Sequence, residues 1–283
     1  MKLEGDVDSA DISDLNSSHC VLLTEGCVSY VLPHTSPRDA CRASLISKGV
    51  RRFANSDVVW ERFLPADYEE IISRSVSPVN YSSKKDLYFR LCDSPIILDD
   101  GNLSFYLHKQ NGKKCFMLGA KALSVAWSTS VFWRYKYSPQ SRFSEVAELV
   151  AVCWLEIKGR IKTSMLSSTT RYAAYLVYDI GPLSCGFDFP AKTLVRHVDG
   201  TKDDDDDVAM TVVYLKPPNT HSETIRVVPH KRADGWMEIE LGKFYNDKID
   251  GEVDIRFTET CQLHWKSGLI VEGIDIRPIN EEE

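Results

Sequence analysis

Glu252 and Glu259 are the residues that could most directly do chemistry together. They stand seven positions apart near the C-terminus. Two carboxylates flanking a glycosidic bond are what acid–base hydrolysis of a sugar linkage requires. The competing reading is two ordinary strand or loop acids. Nothing else completes a catalytic set. The chain contains no G-x-S-x-G, no H-E-x-x-H, no P-loop and no G-x-G-x-x-G, so the motif-bearing hydrolases, zincins, NTPases and dinucleotide enzymes are not indicated. Its seven histidines are scattered, none beside a Ser or Cys in a recognised arrangement. The eight cysteines, at 20, 27, 41, 92, 115, 153, 185 and 261, form no C-x-x-C pair, so neither a metal nor a cofactor is expected. The run Asp203–Asp207 could attract a cation, yet five adjacent like charges repel and lack spaced ligands with a Gly; a solvated loop is the simpler reading. A binding protein is expected rather than an enzyme.

Charge narrows the partners. Thirty-four basic against 41 acidic residues give a net charge of −7, which argues against the basic face that non-specific nucleic-acid binding needs. No run approaches the roughly 18 apolar residues of a membrane span. The first twenty residues are acidic and polar, unlike a signal or transit peptide. The chain is therefore expected in the cytoplasm and nucleus, with its cysteines reduced.

The elements that must hold any site change character along the chain. Residues 1–18 carry five acids and one Lys without apolar periodicity and read as a disordered tail. Residues 19–75 read as short helices. In one, Ser36 is the N-cap, Pro37 the first helical residue and Asp39 the partner of the cap, with Ala40, Ala43, Leu45 and Ile46 on an apolar face. Another start follows at Ser56-Asp57, before Val58, Val59, Trp60, Phe63 and Leu64. Segment 76–113 reads as a linker, a short helix at Lys84–Cys92 and the start of a hairpin.

Beyond that the period falls to two. Ser104–His108, Asn111-Gly112 and Cys115–Leu118 spell a hairpin, since Asn-Gly favours the tight turn. Strands are expected at 151–161, 171–178, 210–215, 224–228, 237–241, 253–258 and 269–276. In Met237, Ile239, Leu241 and in Val253, Ile255, Phe257 apolar residues alternate with charges, the mark of a half-buried antiparallel sheet. The fold class expected is α+β: a small all-α domain followed by an antiparallel β-sandwich or jelly roll over 114–283.

The helical block resembles an F-box. Leu23–Leu32, Ser36–Ala43 and Val59-Trp60 look like that motif's three helices, with Leu23-Thr24 where the family usually has Leu-Pro. The resemblance implies docking on the adaptor subunit of a cullin-RING ubiquitin ligase through Leu23, Val31, Leu32 and Pro37. From about Lys114 to Pro278 the chain resembles the phloem protein 2 lectins, the Nictaba-type domain of plants. The stretches that carry this are Gly119–Trp127, Phe132–Tyr135, Glu145–Leu149, Cys153–Ile157, Asp234–Ile239, Asp250–Val253 and Trp265–Ile270. The combination is similar to the F-box proteins of the phloem protein 2 B type.

That resemblance implies a carbohydrate site at Trp127, Trp133, Glu252 and Glu259. A neutral sugar presents a face of C–H groups and a rim of hydroxyls, so an exposed indole under the ring and carboxylates on the rim suit it. Trp133 follows the polar stretch Ser128–Ser130 and is expected to be exposed. Trp127, ending an alternating strand, could be exposed or core. Trp154, Trp236 and Trp265 are expected to be structural. The function implied is a substrate-recognition subunit of an SCF-type ligase that binds N-glycan or chito-oligosaccharide structures. The alternatives are a lectin with a degenerate F-box and a receptor that reads a protein surface.

Overall fold

The computed structural model describes residues 30–198, 210–216, 227–247 and 250–279. Leu23, the Leu23-Thr24 departure, the acidic tail and Asp203–Asp207 lie outside the described residues, as does most of the strand expected at 224–228. No described helix is long and apolar enough to cross a membrane. The chain divides into two compact units. One comprises the described parts of Met1–Pro65, Asn80–Phe89 and Lys109–Gly112; the other comprises those of Ala66–Val79, Arg90–His108 and Lys113–Glu283.

Short helices, two of them capped by a serine side chain, build the first unit. A 3-10 turn spans Leu32–His34, followed by α1 (Pro37–Ala43), α2 (Lys48–Ala54) and α3 (Asp57–Glu61). Helix α4 (Tyr68–Ser73) follows in the chain, and then α5 (Lys84–Asp93), which begins in the first unit. Pro37 opens α1, and its N-cap Ser36 accepts 3.1 Å from the Asp39 N–H while donating 2.7 Å to the Asp39 carboxylate. The apolar face expected to run on through Leu45 and Ile46 does not form, because α1 ends at Ala43 and Ser47 caps a new helix by accepting from the Val50 N–H. Leu45 and Ile46 are left exposed in the turn between. Trp60 is the fixed point of the unit. Its Nε1–H donates 2.6 Å to the Ala54 carbonyl, and the rings of Phe63, Tyr88 and Phe89 surround it at 5.5, 5.3 and 5.2 Å. Burying four rings together stabilises helices too short to persist alone.

The second unit consists mainly of two antiparallel sheets. The first is nine-stranded among the described residues. It contains β1 (Ile96–Leu98), β2 (Leu103–Leu107), β3 (Lys114–Gly119), β5 (Trp133–Lys136), β6 (Val146–Leu149), β8 (Thr170–Cys185), β11 (His230–Lys231), β12 (Met237–Asn246) and β14 (Ser267–Pro278). Its order is β1-β2-β3-β14-β8-β12-β11, with β6 also pairing β14 and β5 pairing β6. The second, in order β10-β9-β13-β7-β4, contains β4 (Ser124–Val125), β7 (Leu155–Lys162), β9 (Ala191–Val198), β10 (Thr211–Val213) and β13 (Glu252–Glu259). The hairpin forms as β2–β3, but not through the expected two-residue Asn-Gly turn: the His108 N–H donates 2.9 Å to the Lys113 carbonyl, residues 109–112 make a longer loop, and only Gly112 of the pair has a positive φ, +67°.

Alternation tells which residues meet between the sheets. On β7 the odd residues Leu155, Ile157, Gly159 and Ile161 are buried. A Cβ on Gly159 would meet the Ile274 side chain of β14 at 3.0 Å and the Leu118 side chain of β3 at 3.1 Å, so the sheets touch here and a Cβ would need those side chains to give by a few tenths of an ångström. On β12 the alternation switches phase at a register shift between Glu240 and Gly242, after which Phe244 and Asn246 turn inward. The outer face of the first sheet carries a charged lattice. Arg277 holds Glu238 through both its terminal nitrogens at 2.8 and 2.6 Å and lies 3.8 Å over the Tyr175 ring, while Arg232 reaches Glu238 and Asp275. Burial pushes the Glu238 carboxyl up, but the two guanidiniums outweigh it and hold it below the usual carboxylate range.

Candidate functional site at the aromatic end of the second sheet

Period-two geometry separates the two glutamates. Residues seven apart on one strand face opposite sides and lie about 23 Å apart at roughly 3.3 Å per residue. Both belong to β13, which is continuous from Glu252 to Glu259. They therefore do not form a carboxylate pair across one bond.

Glu252, at the start of β13, is paired with Lys162 and Val198. Its partly exposed carboxylate stands 4.0 Å from Arg160. It borders a charged cleft of about 510 Å³ whose other lining residues include Arg74, Asp99, Asn102 and Lys121.

Glu259, at the other end, shares the inward parity of Val253, Ile255 and Phe257 and is only 4% exposed. It forms an ion pair with the equally buried ammonium of Lys266 and accepts 3.0 Å from the Gln262 N–H. The rim role expected for it does not fit, because its oxygens face protein rather than solvent. A buried carboxylate needs such partners, and here they are supplied.

The tryptophans are also redistributed. Trp133 is not on an exposed turn. It opens β5 opposite Leu149, is 2% exposed, and donates Nε1–H to the Ala126 carbonyl at 3.0 Å. Trp127 is the exposed member, 57% in solvent, with the Phe132 ring 5.9 Å away. Its φ of +60° is left-handed, a conformation that costs a non-glycine residue roughly 1–2 kcal/mol. Trp236 is buried as expected.

Trp154 and Trp265, expected to be structural, are 44% and 63% exposed. The signal for Trp154 was present in the alternation. It shares even parity with Glu156, Lys158 and Arg160, the outward face of β7. Trp265 carries no such signal, since it lies on a loop just before β14.

These residues gather at one end of the second sheet. Ala126 N–H donates 3.0 Å to the Glu156 carbonyl, so Trp127 leaves β4 beside the place where Trp154 enters β7. Val152 and Lys266 form a two-way backbone bridge at 2.9 and 2.7 Å. The Lys266 ammonium donates to the Cys153 carbonyl at 2.9 Å and to the His264 carbonyl at 2.7 Å. Those are the carbonyls immediately preceding Trp154 and Trp265. A third loop abuts them. Gly186 has φ +81°, and a Cβ there would lie 2.3 Å from the Trp265 carbonyl oxygen, while Phe189 stacks on His264 at 4.1 Å. Leu263, with φ +50°, is a second exposed apolar residue in the left-handed region.

On the helical unit, Val31 is exposed but Leu32 is buried in its own fold, and Pro37 is buried at the first position of α1. Leu32 thus serves first as core. Pro37, Arg38, Cys41, Phe89, Lys109 and Gln110 line a groove of about 350 Å³. No disulfide joins the six cysteines among the described residues.

A capped helical unit and a two-sheet antiparallel unit with an aromatic loop end define a modular helix-plus-β protein. The chain belongs to the phloem protein 2 family, within the F-box proteins of its B type. The family model described as phloem protein 2 matches residues 113–278. Three proteins of Arabidopsis thaliana are similar along nearly their whole lengths. F-box protein PP2-B10 is 43% identical over 267 residues, 90% of this chain and 92% of the relative. Putative F-box protein PP2-B8 is 41% identical over 270 residues, 91% and 87% respectively. F-box protein SKIP3 is 37% identical over 263 residues, 90% and 87%.

Proposed function

We propose that this chain is a non-catalytic substrate receptor of an SCF-type cullin-RING ubiquitin ligase. In this reading the helical unit docks on the adaptor, and the β unit binds a glycan of N-glycan or chito-oligosaccharide type on the protein to be modified. The observation that carries the glycan half is Trp127, an indole held in solvent on a left-handed backbone beside the polar stretch Ser128–Ser130. Backbone strain kept on an exposed aromatic is characteristic of a binding surface. The ring offers an apolar plate for the sugar's C–H face, and hydroxyls of the adjoining loop suit its rim. The names of the relatives support the adaptor half. Function in the cytoplasm and nucleus, where cullin-RING ligases work, belongs to the same proposal.

One observation favours the reading in which the receptor recognises protein. With Trp133 and Glu259 buried, and Glu252 at the far end of β13, Trp127 stands without the three partners the lectin resemblance gives it. A glycan array of the full chain separates the readings. Binding of glycans that Trp127→Ala abolishes, with unchanged thermal unfolding, is expected; an array without any bound glycan would leave the protein-reading receptor. For the adaptor half, Val31→Asp is expected to stop adaptor pull-down while the fold persists, because the side chain is already in solvent. Leu32→Asp would instead unfold the helical unit and is the control.

A further inference from the structure

The geometry points to a second sugar-stacking subsite, made by Trp154 and Trp265 and fixed from beneath by the buried Glu259–Lys266 pair. It continues the Trp127 surface, and it makes the ligand a neutral oligosaccharide spanning several rings. This rests on the glycan reading and deepens it.

The foundation is the Lys266 ammonium. It is buried against Glu259 and donates to the two carbonyls that precede the two indoles, Cys153 at 2.9 Å and His264 at 2.7 Å. One ammonium therefore sets the direction in which both tryptophans leave the backbone. Glu259 supplies the opposite charge and, through the Gln262 N–H at 3.0 Å, ties down the loop that carries Trp265. Buried ion pairs are poor sources of net stability. One that anchors two exposed rings instead pre-organises a surface, which lowers the entropy lost on binding.

The rings differ in kind from the usual scattered exposed hydrophobics. Both are indoles, both are exposed, and they adjoin a third at Trp127 across the paired ends of β4 and β7. Successive sugar rings in an oligosaccharide present successive apolar faces, which a row of indoles can meet. Glu259 and Lys266 beneath the rings are paired with each other and buried, and on the outward face that Trp154 shares, Glu156 is paired with Lys158 at 2.9 Å. The platform therefore suits a neutral chain better than an anionic one.

Titration of the full-length protein with a chitin disaccharide and with the tetrasaccharide, followed calorimetrically, tests this. The wild type is expected to bind the tetrasaccharide about tenfold more tightly, about 1.4 kcal/mol. Trp154→Ala and Trp265→Ala should each erase most of that difference while leaving disaccharide affinity within about twofold. Trp154→Phe and Trp265→Phe, which keep a flat ring and protect the fold, should restore part of it. Equal affinity of the wild type for both lengths, or a length dependence that survives both alanine variants, overturns the subsite and leaves the Trp127 site standing. Failure to bind either saccharide overturns the subsite, and a glycan array without any bound glycan overturns the glycan reading with it.

Discussion

The two ends of β13 carry the same residue and put it to different uses. Glu252 lies on the outer face among Lys162 and Arg160, half in solvent beside a charged cleft. Glu259 lies on the inner face, sealed against Lys266 under the loops that bear Trp154 and Trp265. The spacing of seven is odd, so on a strand of period two the faces had to differ. A carboxylate's role is set by which side of the sheet its parity assigns it, more than by its chemistry or its distance along the sequence.

The sharpest way to break this contrast is to delete each carboxylate in turn. Glu259→Ala strands a buried ammonium and is expected to cost about 3–5 kcal/mol of unfolding free energy. Glu252→Ala removes a screened surface partner and should stay within about 0.5 kcal/mol. Urea unfolding of the two variants measures both. Replacing the whole buried pair, Glu259→Gln with Lys266→Met, should recover much of the loss, since no unpaired charge remains. Equal destabilisation by both alanine variants would mean that Glu259 is not sealed.

Much of this was legible beforehand. The Ser36-Pro37-Asp39 cap, the pairing of β2 with β3 and the inward row Val253, Ile255, Phe257 all follow from local rules that burial and pairing confirm. Those rules act over a few residues, and sequence displays them. The site was less legible, because it depends on contacts between residues far apart in the chain. Trp133 follows a polar stretch, but the strand it opens turns it toward the Ala126 carbonyl. Lys266 sits 113 residues from the Cys153 carbonyl it holds, and no local pattern announces such a partner. For Glu259 and Trp154 the parity was available and decides the matter, whereas Leu45 and Ile46 followed an apolar pattern that the Ser47 cap cut short.

A smaller effect tests whether the aromatic end is as rigid as its hydrogen bonds imply. Gly186 combines φ +81° with a 2.3 Å approach of the Trp265 carbonyl to any Cβ. Gly186→Ala is expected to destabilise by about 2 kcal/mol, from left-handed strain and the displaced backbone. Trp265 would have to move with that carbonyl, so its fluorescence emission should shift, best read with the five other tryptophans replaced by Phe where the fold allows. An unchanged melting temperature would show that the loop yields freely and that the contrast with the Glu252 end is one of burial alone.

The smallest effect is the most informative about where a sugar binds. Glu252→Gln keeps the side chain's shape and removes its charge. By the lectin resemblance, a carboxylate on a sugar's hydroxyl rim would contribute roughly 1.5–3 kcal/mol through charge-assisted hydrogen bonds, so its loss should weaken binding tenfold or more. The position of Glu252 argues otherwise. Ala126, next to Trp127, bonds to Glu156, and Glu156 pairs with Thr258, six residues along β13 from Glu252 and thus about 20 Å away. A carboxylate that far off cannot touch a sugar ring lying on Trp127. Glu252→Gln is therefore expected to leave disaccharide titration within about twofold of wild type, under conditions where Trp127→Ala abolishes it. A tenfold loss in Glu252→Gln, with Trp127→Ala unaffected, would move the carbohydrate site to the charged cleft and reverse the assignment of the two ends.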